Sequence, residues 1–142
     1  MSIVKARNII EISFKDKFDK GGEPYKNHLF RVAKNFSDID DNLIIIGLLH
    51  DLLEDCPEWT ESDLRVEFDS DIVDAVVCLT RKKLESYEDY INRIKSNRMS
   101  LMVKIADLKD NMDITRLKKI TDKDVERLKK YHKTWLELSS LV

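Results

Sequence analysis

The stretch LIIIGLLHDLLED, residues 43–55, is the most apolar run of the chain, yet it contains a histidine and an aspartate side by side. Such a run predicts a buried helix over Leu43–Leu53, started by the acidic residues at 38–41 and ended by Cys56-Pro57. A buried carboxylate is unfavourable unless it is paired or binds a metal. His50-Asp51 is therefore the first candidate for a functional site.

The rest of the chain favours helices as well. Three glycines and two prolines in 142 residues leave little material for tight hairpins. Apolar spacing and capping residues predict further helices over Ile3–Phe14, from Pro24 to about Phe36, Thr60–Phe68, Ile72–Leu79, Tyr87–Ser96, Arg98–Leu117, and from Thr121 to the C-terminus with Val125, Leu128, Trp135 and Leu138 facing inward. We predict a single domain over residues 1–142 that is all-α, a bundle of about eight helices without strands.

Composition excludes several classes of partner. The chain has 25 Lys and Arg against 27 Asp and Glu, a net charge of −2, which argues against nucleic acid as the main partner. No apolar segment approaches membrane-spanning length and no leader peptide is recognisable, so we expect a cytoplasmic protein without a membrane partner. Cys56 and Cys78 lack metal-type spacing and are expected to be reduced thiols.

A second polar cluster lies in VKIADLKDNMD, residues 103–113. Lys104, Asp107 and Asn111 are three and four positions apart, so they lie on one face of a helix. Another histidine, His28, comes from the helix that follows Pro24, whereas His132 lies in a charged run and is not a candidate.

Together these residues form the pattern His28, His50-Asp51 and Asp107, drawn from three helices. Two imidazoles and two carboxylates suit a divalent cation such as Mn²⁺ or Fe²⁺, with positions left for water and a phosphate oxygen. Glu54 and Asp55, three and four positions after Asp51, could orient or deprotonate that water. The pattern therefore indicates metal-dependent phosphate hydrolysis.

This spaced H…HD…D pattern resembles that of the HD-domain phosphohydrolases. Within them, HDLLED (residues 50–55) and VKIADLKDNMD resemble the hydrolase domain of the RelA/SpoT-type alarmone enzymes, in particular the small stand-alone (p)ppGpp hydrolases, over about Ala6–Trp135. The resemblance implies an HD-domain fold, Mn²⁺ at the four ligands, and water activation by Glu54 and Asp55. It implies removal of the 3′-pyrophosphate from (p)ppGpp, which yields GDP or GTP and pyrophosphate.

The resemblance also assigns substrate contacts. It implies that Lys104 and Asn111 bind near the phosphates and that Tyr131 touches the substrate. The chain departs from the family pattern in the loop before His28, KDKFDKGGEPY, which carries lysines where arginines are usual. Lysine lacks the bidentate fork that arginine offers a phosphate.

Two other functions remain open from the sequence. One is an HD nucleotidase or phosphodiesterase that acts on another nucleotide, although such nucleotidases typically carry only the glutamate after HD. The other is a non-catalytic HD fold that binds a nucleotide or a partner protein as a sensor. The two catalytic interpretations take a small nucleotide as the partner, and the sequence does not determine the oligomeric state.

Overall fold

The computed structural model describes residues 2–142, and these confirm the all-α prediction. They form nine α-helices and one short 3₁₀ helix: α1 Ser2–Ser13, α2 Lys26–Lys34, α3 Asp41–Leu49, α4 Leu52–Asp55, α5 Glu61–Glu67, α6 Ser70–Cys78, α7 Tyr87–Ile94, α8 Arg98–Asn111, the 3₁₀ helix Ile114–Arg116 and α9 Asp122–Ser139. The only extended pairing within these residues is a single antiparallel bridge between Phe18 and Pro24.

Helix α3 lies at the centre of the bundle. It packs against α1, α2, α6 and α8, and its apolar residues are almost completely buried. Gly47 allows α3 to approach α2 closely, because a Cβ there would lie 3.0 Å from the Cα of Ala33. The predicted buried helix therefore packs directly against α2, the helix that carries His28.

The apolar run does not form one continuous helix. It breaks at His50 and Asp51, which form a turn between α3 and the one-turn helix α4. The side chain of His50 donates from Nδ1 to the carbonyl of Gly47 at 2.7 Å, and this competes with the backbone hydrogen bonding of the last helical turn. The break brings both side chains to the same side of the bundle.

Other helix ends also differ from the prediction. Helix α2 begins at Lys26 because Pro24 is held in the bridge to Phe18, and α8 ends at Asn111 because Asp113 caps a separate 3₁₀ turn. In α9, Leu138 is buried as predicted, but Val125 is 40% exposed because the first turns of the helix extend beyond the core. No helix among residues 2–142 is long and apolar enough to span a membrane.

Candidate metal centre

The four residues predicted as metal ligands meet in the structure. His28 comes from α2, His50 and Asp51 from the turn before α4, and Asp107 from α8. Each offers one ligand atom, and these atoms all lie within 4.8 Å of one another. His28, His50 and Asp107 are buried and Asp51 is half-buried, so the cluster lies at the base of a depression in the bundle.

Both imidazoles turn Nε2 toward the centre of the cluster. The Nδ1 of His50 donates to the carbonyl of Gly47, and the Nδ1 of His28 lies 2.6 Å from Oδ2 of Asp110. Since a carbonyl and a carboxylate can only accept, these contacts place the Nδ1 protons and leave both Nε2 atoms as ligands in the neutral form. Metal-binding histidines are typically oriented by such contacts.

Asp107 divides its two oxygens between different partners. Its Oδ1 lies 2.9 Å from Nε2 of His28 and 3.2 Å from Nε2 of His50, and it accepts from Asn111 at 3.1 Å. Its Oδ2 accepts from the ammonium of Lys104 at 2.9 Å. Burial alone would raise the pKa of Asp107, but Lys104 and His50 outweigh it and hold that pKa well below its usual range. Asp107 is therefore a fixed anion.

Tyr25 holds the second carboxylate. Its hydroxyl donates to Oδ2 of Asp51 at 2.6 Å, and its ring stacks on Phe14 at 5.5 Å between centroids. Burial and the charge of Asp51 raise the pKa of Tyr25, so the phenol stays protonated and acts only as a donor. The sequence reasoning did not identify this residue, although it stands three positions before His28 at the start of the same helix.

Asp110 was also missed as a functional residue. It contacts His28 through Oδ2, and it accepts from Arg31 at 2.8 Å and 3.1 Å. Arg116 approaches Oδ2 at 3.4 Å. Burial would raise the pKa of Asp110, but the hydrogen bonds from His28 and Arg31 lower it to about 2. The spacing of three from Asp107 was the available signal, because it places Asp110 on the same face of α8.

The two acidic residues after His50-Asp51 lie at the rim of the cluster. One oxygen of Glu54 accepts from the backbone N–H of Arg81 at 2.6 Å, which fixes the carboxylate, and burial raises its pKa. Burial and the charges of Asp51 and Glu54 raise the pKa of Asp55 to about 6. A carboxylate with a raised pKa is a stronger base, so both residues can accept a proton from water near the cluster.

A cavity of about 330 Å³ opens beside the cluster. His28, Asp110, Asn111 and Tyr131 line it together with Arg127. Two of the three predicted substrate contacts, Asn111 and Tyr131, therefore face one space, whereas Lys104 does not line it and is bound to Asp107.

The donor set fits a divalent cation. Imidazole nitrogens and carboxylate oxygens in one small cluster are the ligands that such ions take. Burial lowers the pKa of His28, but hydrogen bonds to Asp107 and Asp110 outweigh this and raise it to about 9. A cation and protons therefore compete for the same nitrogens.

Comparisons with known proteins point in one direction. No family model matches the chain. It is 31% identical over 109 residues to the guanosine-3′,5′-bis(diphosphate) 3′-pyrophosphohydrolase of Haemophilus influenzae, an alignment that covers 68% of this chain and 16% of that protein. It is 37% identical over 89 residues to the probable enzyme of the same name from Mycoplasma pneumoniae, covering 60% and 12% respectively. The chain thus spans about a sixth or less of these relatives.

A solved structure covers far more of the chain. It is described as a metazoan orthologue of SpoT that hydrolyses ppGpp and plays a role in starvation responses. The TM-score is 0.78 at 19% identity, over 96% of this chain and 84% of the other. This likeness shows that the two proteins share a fold.

The fold and the cluster together define a helical protein that gathers two histidines and two aspartates at a buried centre. Within that class, the relatives and the shared fold confirm the resemblance to the (p)ppGpp hydrolases that the two motifs indicated.

Proposed function

We propose that the chain is a metal-dependent phosphohydrolase that removes the 3′-pyrophosphate from (p)ppGpp, releasing pyrophosphate and GDP or GTP. One observation carries the proposal: the ligand atoms of four residues converge within 4.8 Å beside a cavity that exposes polar and aromatic side chains. The names of the two curated relatives supply the substrate.

His28, His50, Asp51 and Asp107 would hold the metal, for which Mn²⁺ is the first choice and Fe²⁺ the second. A bound divalent cation lowers the pKa of water and stabilises charge on a phosphoryl group. Tyr25, Asp110 and the carbonyl of Gly47 orient the ligands, so little rearrangement is needed when the site fills.

Glu54 and Asp55 are the proposed bases. Hydrolysis requires a proton to leave the attacking water, and the raised pKa values of both carboxyls make them suitable acceptors. Glu54 is the better positioned of the two, because the N–H of Arg81 fixes one of its oxygens and leaves the other for water.

Asn111 and Tyr131 are the proposed substrate contacts in the cavity. Lys104, the third residue of that set, would act on the phosphates through Asp107 and not by direct contact. The partner is a small nucleotide, with neither nucleic acid nor a membrane required. For a protein that acts on such a substrate, the cytoplasm is the proposed location.

Product analysis tests the proposal. Protein loaded with Mn²⁺ is incubated with ppGpp, GTP and a panel of deoxynucleoside monophosphates, and products are separated by ion-exchange chromatography. Pyrophosphate and GDP from ppGpp alone are expected, and Asp51→Asn should lose both metal and activity while its helical circular dichroism persists. Turnover of another nucleotide instead of ppGpp would contradict the proposed substrate and leave the metal site in place. Metal-bound protein that hydrolyses none of the nucleotides would indicate a nucleotide sensor.

A further inference from the structure

A groove of about 370 Å³ lies beside the cavity at the metal centre, along the start of α9. The two spaces share part of their lining, namely Lys20, Leu117, Asp124 and Arg127. The groove and the cavity therefore adjoin at these four residues.

The groove is strongly basic although the whole chain has a net charge of −2. Five cations line it, Lys20, Lys118, Lys119, Lys123 and Arg127, against a single carboxylate. That carboxylate, Asp124, is already paired with Arg127 at 3.2 Å and lies 3.9 Å from Lys20.

Three of the cations have no partner. Lys118, Lys119 and Lys123 are exposed and form no ion pair or side-chain hydrogen bond with residues 2–142. The groove also includes Thr121, the cap of the 18-residue helix α9, whose N-terminal end adds partial positive charge. Clustered, unneutralised cations raise the local concentration of an anionic ligand.

We propose that this groove binds the 5′-polyphosphate arm of the nucleotide whose 3′-pyrophosphate reacts at the metal centre. The inference rests on the proposed function. The lining of the cavity includes Tyr131 and Leu128, whose aromatic and apolar surfaces suit the base and ribose. The 5′-phosphates then extend outward to Lys118, Lys119 and Lys123, where a longer chain makes more contacts.

A series of substrates that differ only in the 5′-phosphates tests this assignment. The value of kcat/KM is measured for pppGpp, ppGpp and pGpp with the wild type and with Lys118→Ala/Lys119→Ala/Lys123→Ala. Exposed charge pairs each contribute little, so we expect a loss of about tenfold on pppGpp, about fivefold on ppGpp and less than twofold on pGpp. The loss should lie in KM, with kcat unchanged, and should shrink at high salt.

The control is Lys34→Ala/Lys129→Ala/Lys133→Ala, which removes the same charge from exposed lysines that line neither space. An equal loss on all three substrates, no loss, or the same gradient in the control would overturn the inference. A wild type that hydrolyses none of the three would overturn the proposed function instead. The groove is then judged by calorimetry with inorganic tripolyphosphate: binding that only the first variant loses supports an anion site, and equal binding by all three proteins refutes it.

Discussion

Replacement of Asp110 tests whether the metal centre depends on groups beyond its four ligands. Asp110 lies 2.6 Å from Nδ1 of His28 and is held by Arg31, so it fixes both the ring orientation and the Nδ1 proton. Removing a carboxylate that orients a metal-binding histidine typically lowers metal affinity 10- to 100-fold, or about 1.4–2.7 kcal/mol. We expect Asp110→Ala to show a loss in this range.

Asp110→Asn separates orientation from charge. The amide oxygen of asparagine can still accept from Nδ1 of His28, but the negative charge is gone. The loss of affinity should therefore be smaller for Asp110→Asn than for Asp110→Ala. Asp113→Asn is the matched control, since this carboxylate also pairs with Arg116 but contacts no proposed ligand.

Metal affinity is measured by competition with a chelating dye, and the visible spectrum of the Co²⁺-loaded protein reports the ligand geometry. Unchanged dissociation constants and spectra in both Asp110 variants would refute the argument that His28 needs this contact. A loss of metal affinity equal to that of Asp113→Asn would mean that the variants act only by removing a negative charge near the site. Circular dichroism of each variant checks that the bundle is intact.

Three further outcomes are expected. Glu54→Gln should retain metal and lose most of the hydrolysis rate, and a normal rate would transfer the proton-accepting role to Asp55. The pKa of His28 is raised to about 9, so protonation of His28 stabilises the folded metal-free protein fully below about pH 6.5, and this stabilisation is lost as pH rises through 9. Metal binding at pH 7 should therefore release protons, which calorimetry in buffers of different ionisation enthalpy measures. A binding enthalpy that does not depend on the buffer would contradict this. Gly47→Ala should lower the free energy of unfolding by about 1 kcal/mol in urea titrations. Its Cβ would lie 3.0 Å from the backbone of Ala33, and this crowding, which costs about 1–3 kcal/mol, outweighs the gain of about 1 kcal/mol from replacing a glycine inside a helix. Unchanged or higher stability would show that α2 shifts enough to relieve the crowding.

Much of the helical architecture could be predicted because its signals are local. The capping residues Thr60 and Thr121 each form the reciprocal bonds of a capping box, with Asp63 and Asp124 respectively. The break between α3 and α4 could not be predicted in this way, because leucines continue on both sides of His50-Asp51 and apolar spacing reports burial rather than hydrogen bonding. The imidazole contact with Gly47 at this turn is visible only in the structure.

The candidate site divides along the same line. Residue type and position within each of three helices were enough to propose His28, His50, Asp51 and Asp107 as a set, and the structure brings their ligand atoms within 4.8 Å of one another. The groups that orient them are reached across the fold: Asp110 contacts a histidine 82 positions away, and Tyr25 contacts an aspartate 26 positions away. Neither type of contact leaves a periodic trace in a single sequence.

Lys104 shows why a position on the expected helix face does not determine a role. Burial alone would lower its pKa, but the adjacent carboxylate of Asp107 reverses the effect and keeps the ammonium charged. The ammonium donates to Oδ2 of Asp107, and Oδ1 of the same carboxylate is directed at the two imidazoles. Lys104 can therefore act on a phosphate only through the cluster, whereas Asn111 and Tyr131 face the cavity directly. A substitution of Lys104 should accordingly change metal affinity as well as KM, and this separates it from the other two.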